Sequence, residues 1–507
     1  MASSQQLLTP TEMSEQGAIP PLHVQAAGST CSSEEQQNQN NNALKTCPLG
    51  CNDKFRLETN DSTGFFYQRC GAGPVIMSNI FFANALIELA ERDIGCDEAE
   101  DDDEDVECGK VYGFKPSSLI AIIATVTGVL SALLLPFVGV IIDYTPFRYN
   151  VGVCSSAMLV LIQAIQICTV ESTWFPMAIL QAVNGFIYQI VTLSCYAYFP
   201  EIAASLPART YQWYSCLYGI MLFGSEVVYL FLMVCVTLFI TGDDAGQTGQ
   251  VGQALDSVLT GGCWVLAWYY FTRREPRATL EEGQSLFNAG FFQVFETAKG
   301  IYHFYPKSIG CFFVGVVFVE AGLSAFSAIS VTYINEVLDF DSAQLGFLFL
   351  LVLFFSVPGS YFADWLAERT NPITALKVQL ISWVIVNFVA FLVLSDPSKS
   401  TEAYIAGVFW GFLIGWYSPL ENLVFSMIIP SGQESELTGF FLYCTQILAW
   451  LPPLVFTLLN EADVNLKWGG IHLNIYFFIG LVLYQKMLPW EDCIHAAKTN
   501  YMRENRT

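Results

Sequence analysis

Three carboxylates stand inside long apolar runs of this 507-residue chain. Glu226 lies in Gly224-Ser225-Glu226-Val227-Val228-Tyr229, Glu320 in Phe318-Val319-Glu320-Ala321-Gly322, and Glu421 in Ser418-Pro419-Leu420-Glu421-Asn422. A charged side chain at the middle of a bilayer costs about 2.5 kcal/mol or more, so a chain that keeps one there usually uses it. Such a group can take up and release a proton, or be neutralised by the ammonium of a bound solute. The plainer alternative is a carboxylate held by a neighbouring helix for packing. Uncharged polar residues accompany them: Asn79, Asn84, Gln181, Asn184, Tyr188, Gln189 and Asn387. Asn84 and Glu88 are one helical turn apart, and Gln181, Asn184 and Tyr188 share a face. They could orient a solute. Interhelical hydrogen bonding, worth about 0.6 kcal/mol in membranes, is the plainer reading for any single one.

A second constellation occurs twice. The chain reads Gly139-Val140-Ile141-Ile142-Asp143-Tyr144-Thr145-Pro146-Phe147-Arg148, and again Ser360-Tyr361-Phe362-Ala363-Asp364-Trp365-Leu366-Ala367-Glu368-Arg369. Small residue, Asp and Arg keep their offsets 221 residues apart. A small residue lets two helices approach closely. The Asp can accept from backbone N–H groups at a helix start, and the Arg can pair with it. A contact of this kind, made only when one side of the molecule is shut, would gate a conformational equilibrium. Each Asp is expected to end a helix and each Arg to begin the next segment.

Long apolar helices must position these groups. Only 13% of residues are charged, about half the usual share of a soluble domain, and mean hydropathy is +0.44. The apolar residues fall into blocks long enough to cross about 30 Å of hydrocarbon. Twelve spans are predicted near 72–91, 117–141, 150–170, 174–199, 213–240, 254–271, 308–333, 343–366, 374–395, 402–429, 438–459 and 470–488. Residues 1–71 read as a disordered Ser/Gln/Asn-rich tail, 72–271 as one six-helix half, 272–307 as a linker, 308–488 as the second half and 489–507 as a second tail. Seventeen of the 22 Lys and Arg residues, Arg69 among them, fall on the side of the two tails, which makes that side cytosolic. The loop 92–116 then faces away from the cytosol. It carries nine acidic residues between Asp97 and Glu107, a solvated run that Cys96 and Cys108 could close as a disulfide.

Gly and Pro at Pro136, Pro358-Gly359, Pro419 and Pro452-Pro453 mark helices able to bend. Two six-helix halves with such breaks suit a rocking transporter that binds its solute near the midplane. There is no phosphate-cradling loop, basic nucleic-acid face, metal-ligand spacing or nucleophile constellation, so neither an enzyme nor a cofactor is expected.

The paired Asp/Arg segments resemble the signature of the major facilitator superfamily. Tyr196-Ala197-Tyr198-Phe199-Pro200-Glu201-Ile202, the loop from Ile429 to Phe441 and the stretch Trp450-Leu451-Pro452-Pro453-Leu454-Val455-Phe456 are similar to segments of the autophagy-related vacuole effluxers. That resemblance implies a twelve-helix major facilitator fold in a vacuolar or other membrane, exporting amino acids, with protons as a second cargo and no obligatory oligomer. Where that family often has a Ser-Arg-Ser segment in the tenth span, this chain has Ser418-Pro419-Leu420-Glu421-Asn422. A transporter fold serving as a sensor or scaffold is the alternative, because fold alone does not fix activity.

Overall fold

The computed structural model describes residues 57–94, 110–206, 208–242, 244–276, 286–430 and 434–499. They are almost entirely helical. The first half comprises α1 (Asn60–Asp93), α2 (Leu119–Tyr144), α3 (Arg148–Gln166), α4 (Trp174–Tyr196), the short α5 (Phe199–Ser205), α6 (Ala208–Val236) and α7 (Ala245–Tyr270). A helix outside the halves, α8 (Leu286–Phe304), follows. The second half comprises α9 (Cys311–Leu338), α10 (Ser342–Arg369), α11 (Pro372–Val393), α12 (Ser400–Ile428), α13 (Glu434–Gln446) with α14 (Leu451–Glu461), and α15 (Leu466–Ile471) with α16 (Leu473–Gln485). Trp490–Thr499 forms α17.

Eleven spans among the described residues are long and apolar enough to cross a membrane. The twelfth, α7, has the length but carries Gln247, Gln250, Gln253, Asp256 and Thr260. Its buried polar stripe faces α1 and α3, while Val258 and Val265 stand outward. A helix that hides its polar side against neighbours can span lipid at lower average hydropathy.

Boundaries reflect local chemistry. Asp341 caps α10 by accepting from Gln344 N–H, and the Gln344 side chain reaches back to Asp341 N–H. Asn371 caps α11, with Pro372 in the first turn where no N–H is needed. Pro452 and Pro453 likewise start α14, so the eleventh span is broken between Gln446 and Leu451.

Three expectations change. The first helix starts at Asn60, not 72, so Arg69 lies inside a span instead of in a cytosolic tail. The sixth starts at Ala245, which moves Asp256 from an expected helix edge to its middle. In the second Asp/Arg copy, α10 runs on through Asp364 and ends on Arg369, so this Arg does not open a new segment. The first copy breaks at Thr145-Pro146, whereas the second meets no proline before Pro372. The acidic run with Cys96 and Cys108 lies outside the described residues.

The halves meet where α2 packs on α13 and α14, and where α6 packs on α10. At the centre of the first seam Gly128 lies against the Trp450 backbone; a Cβ there would sit 2.6 Å from Trp450 N. Within the second half, Gly411 and Gly415 of α12 bring its backbone onto α10. An added Cβ would stand 2.1 Å from Val352 O and 1.9 Å from Ser356 O. Small residues at this spacing are how membrane helices gain close van der Waals contact.

Candidate functional site

In the second half, α9 and α12 bring Glu320 and Glu421 within hydrogen-bonding reach of one another. Tyr417, one turn from Glu421 on α12, donates to Glu421 Oε1 at 2.7 Å. Both Tyr417 and Glu421 are buried. Ionised carboxylates have no donor, so two carboxyl groups this close and away from water can share a proton.

In the first half Glu226 of α6 is buried, at 3% exposure, and has no hydrogen bond or ion pair among the described residues. Tyr188 of α4 and Arg69 of α1 lie near it. Arg69 is half-buried, with its guanidinium 5.5 Å from the Tyr196 ring centre and 5.9 Å from that of Phe65. Asn184, fully buried, donates to Asn79 Oδ1 at 3.5 Å. Gln181 donates to the same oxygen at 2.9 Å and accepts from Gln166 at 2.9 Å. These amides link α1, α3 and α4.

Asn84 belongs elsewhere. Asn335 donates to it, and it donates to Ser342 Oγ at 3.4 Å, so it ties α1 to the other half. This tie is part of a latch at the end of the bundle that carries Lys110 and Lys115. Lys110 Nζ meets Glu461 Oε2 at 2.7 Å, and Lys115 Nζ meets Asp463 Oδ1 at 2.5 Å. The Lys115 N–H donates to Glu461 Oε1 at 2.6 Å, and Asn460 donates to Ser117 and Ser118. Glu461 raises the Lys110 ammonium above its ordinary range, and Lys115 holds Asp463 below the usual carboxylate range.

The opposite, basic end is arranged differently. Arg148 is buried and donates from Nη1 to Glu201 Oε1 at 2.7 Å, with its guanidinium 5.3 Å from the Tyr198 ring centre. Arg274 joins Glu201, at 3.1 Å, to Asp61, at 2.5 Å. This network staples α1, α3, α5 and the segment after α7 within one half. The first-copy Arg148 therefore pairs with Glu201 of the Phe199-Pro200-Glu201 turn. In the second copy Asp364 is exposed, and Arg369 lies 4.4 Å from the centre of its own helix's Trp365 ring. Ser360 donates to Gly415 O at 2.8 Å, closing α10 onto α12.

Beside that network a cavity of about 210 Å³ opens between the halves. Gly139, Asp143, Gln189, Thr192 and Tyr196 line it from α2 and α4, and Tyr443 and Gln446 from α13. α8 closes one wall: Gly290 packs on the Pro136 carbonyl, and Thr297 donates to Glu436 at 2.7 Å.

The expected residues thus separate into groups: the carboxyl pair Glu320 and Glu421, the α1–α4–α6 cluster with Glu226 and Tyr188, the amide belt with Asn184, the latch with Asn84, and the basic end. Asp256 was passed over. It is fully buried, accepting from Ser78 at 2.7 Å, from Thr260 at 2.5 Å and from Gln163. The helix start at Ala245 was the missing signal, as the start at Asn60 was for Arg69.

Residues 70–216 and 217–497 match the family described as Vacuole effluxer Atg22 like. The chain belongs to that family. Autophagy-related protein 22 of Kluyveromyces lactis is 21% identical over 247 residues, which cover 45% of this chain and 50% of that protein. A putative proline/betaine transporter of Staphylococcus haemolyticus is 24% identical over 198 residues, 39% of this chain and 40% of that one. The chain thus spans half or less of the length of these curated relatives. The solved bacterial homologue of the iron transporter ferroportin, in its inward-facing state, superposes with a TM-score of 0.57 at 13% identity, over 84% of this chain and 98% of the other. That likeness places this member of the vacuole effluxer family in the major facilitator fold.

Proposed function

We propose that the chain is a secondary transporter that moves a small polar solute of the amino-acid kind by alternating access across a vacuolar or similar membrane. The observation that carries this reading is one-sided closure. The halves are latched at the end carrying Lys110, Lys115, Glu461 and Asp463, while a cavity lies between them at the basic end. With the basic end in the cytosol, this is an inward-facing state. The cavity is smaller than the roughly 300–1,000 Å³ of sites for drug-sized ligands, which suits a small solute. The family description, vacuole effluxer, and the proline/betaine name of one relative agree with export of a small zwitterion. The Glu320–Glu421 pair supplies a proton-binding group on two helices of one half.

A second reading, a transporter fold used as a sensor, is favoured by α8, which touches α2 and α13 together and so tends to hold one state. Purified chain in liposomes loaded with labelled amino acids, with and without a pH gradient, separates the two. Solute movement that responds to the gradient supports transport; none across a broad panel from folded protein supports the sensor.

A further inference from the structure

Arg69 of α1 and Glu226 of α6 stand near one another, and neither has an ion-pair partner among the described residues. Arg69 lies one helical turn from the level of Glu226. Gly73, one turn on from Arg69, packs so tightly on α6 that a Cβ would lie 2.3 Å from Ser225 Oγ and 2.8 Å from Glu226 N. A buried carboxyl without a hydrogen-bond partner carries its charge only at a cost of several kcal/mol, while the nearby half-buried Arg69 has aromatic rings and no carboxylate beside it. Packing alone would have been served better by apolar residues or by a direct pair.

We propose that Arg69 and Glu226 form the recognition site for the zwitterionic head of an α-amino acid. The Arg69 fork takes the α-carboxylate through two parallel N–H donors, and Glu226 takes the α-ammonium. The Tyr188 hydroxyl lies near both. The Tyr196 ring lies 5.5 Å from the guanidinium and also lines the cavity, so one ring is shared by Arg69 and the cavity wall. A molecule carrying both charged groups on one carbon satisfies both side chains at once; an amine or a carboxylate alone leaves one of them unpaired. This inference rests on the transport reading and assigns its cargo class to named residues.

The test is counterflow of labelled phenylalanine in liposomes, competed by unlabelled phenylalanine, 2-phenylethylamine, which lacks the carboxylate, and 3-phenylpropionate, which lacks the ammonium. Wild type should prefer the amino acid to either analogue by about tenfold or more, about 1.4 kcal/mol. R69Q should weaken phenylalanine and bring it level with the amine, and E226Q should bring it level with the carboxylate. R69K should recover part of the preference, since it keeps the charge without the fork. Loss of exchange without a change in the ratios marks a structural role and overturns the proposal, as do variants that keep wild-type discrimination. Wild type that exchanges no amino acid overturns the transport reading itself, which is a different result from unaltered variants of an active protein.

Discussion

At the scale of single residues, burial and partnership set the consequences of change. A proton shared by Glu320 and Glu421 leaves when the pair is exposed, and because both sit in one half that exposure comes from movement of the other half past them. E320Q should therefore abolish accumulation driven by a pH gradient while leaving counterflow exchange largely intact; equal loss of both would assign Glu320 to solute binding or packing. Glu201 has another task. It is the counter-charge of the buried Arg148, and a buried ion left without its partner costs about 3–5 kcal/mol. E201Q should lower the thermal midpoint of the protein in detergent sharply, whereas D364N, at an exposed position, should fall within about 0.5 kcal/mol of wild type. The two Asp/Arg copies look alike in sequence and predict opposite sensitivities.

At the scale of elements, the α10–α12 contact depends on absent side chains. Gly411 and Gly415 sit four residues apart, with the Val352 and Ser356 carbonyls where their Cβ atoms would be. G411L should force the helices apart at a cost of at least about 1–3 kcal/mol, read as a lower thermal midpoint. α7 shows how an element can escape a hydropathy reading. Its polar stripe is spent on α1 and α3, so its average hides a lipid-facing side with Val258 and Val265. Span existence was legible from apolar length alone; the starts of α1 and α7 were not, because the extra turns carry polar residues, such as Asp61, Gln68 and Gln253, that only the packed bundle buries.

At the scale of the whole molecule, the latch sets which side is open. Its exposed ion pairs are weak, screened contacts that can bias a two-state equilibrium without locking it. K115E should increase labelling of a cysteine placed at Ser117 from the acidic-loop side, and the double variant K115E/D463K should restore protection. The latch should also survive an acidic compartment. Asp463 is held below the usual carboxylate range by the Lys115 hydrogen bond and charge. A depressed carboxylate contributes above its unfolded value, about 3.9, and loses that contribution only as pH falls through its lower folded value. The Asp463 carboxyl should thus stay ionised from about pH 7 to about pH 5, read as an unshifted Asp463 carboxyl resonance by NMR.

The sequence by itself determined the fold class, because the apolar length needed to cross hydrocarbon leaves few architectures open to a chain of this composition. It also marked Glu226, Glu320 and Glu421, since charge inside an apolar run is visible without coordinates. What only the tertiary structure decided is who meets whom. Asn84 went to the latch and Arg148 to Glu201, while Arg69 came inside opposite Glu226. The physical reason is that helix spacing fixes neighbours one turn apart, whereas contacts between residues 53 to 351 positions apart depend on how the bundle closes.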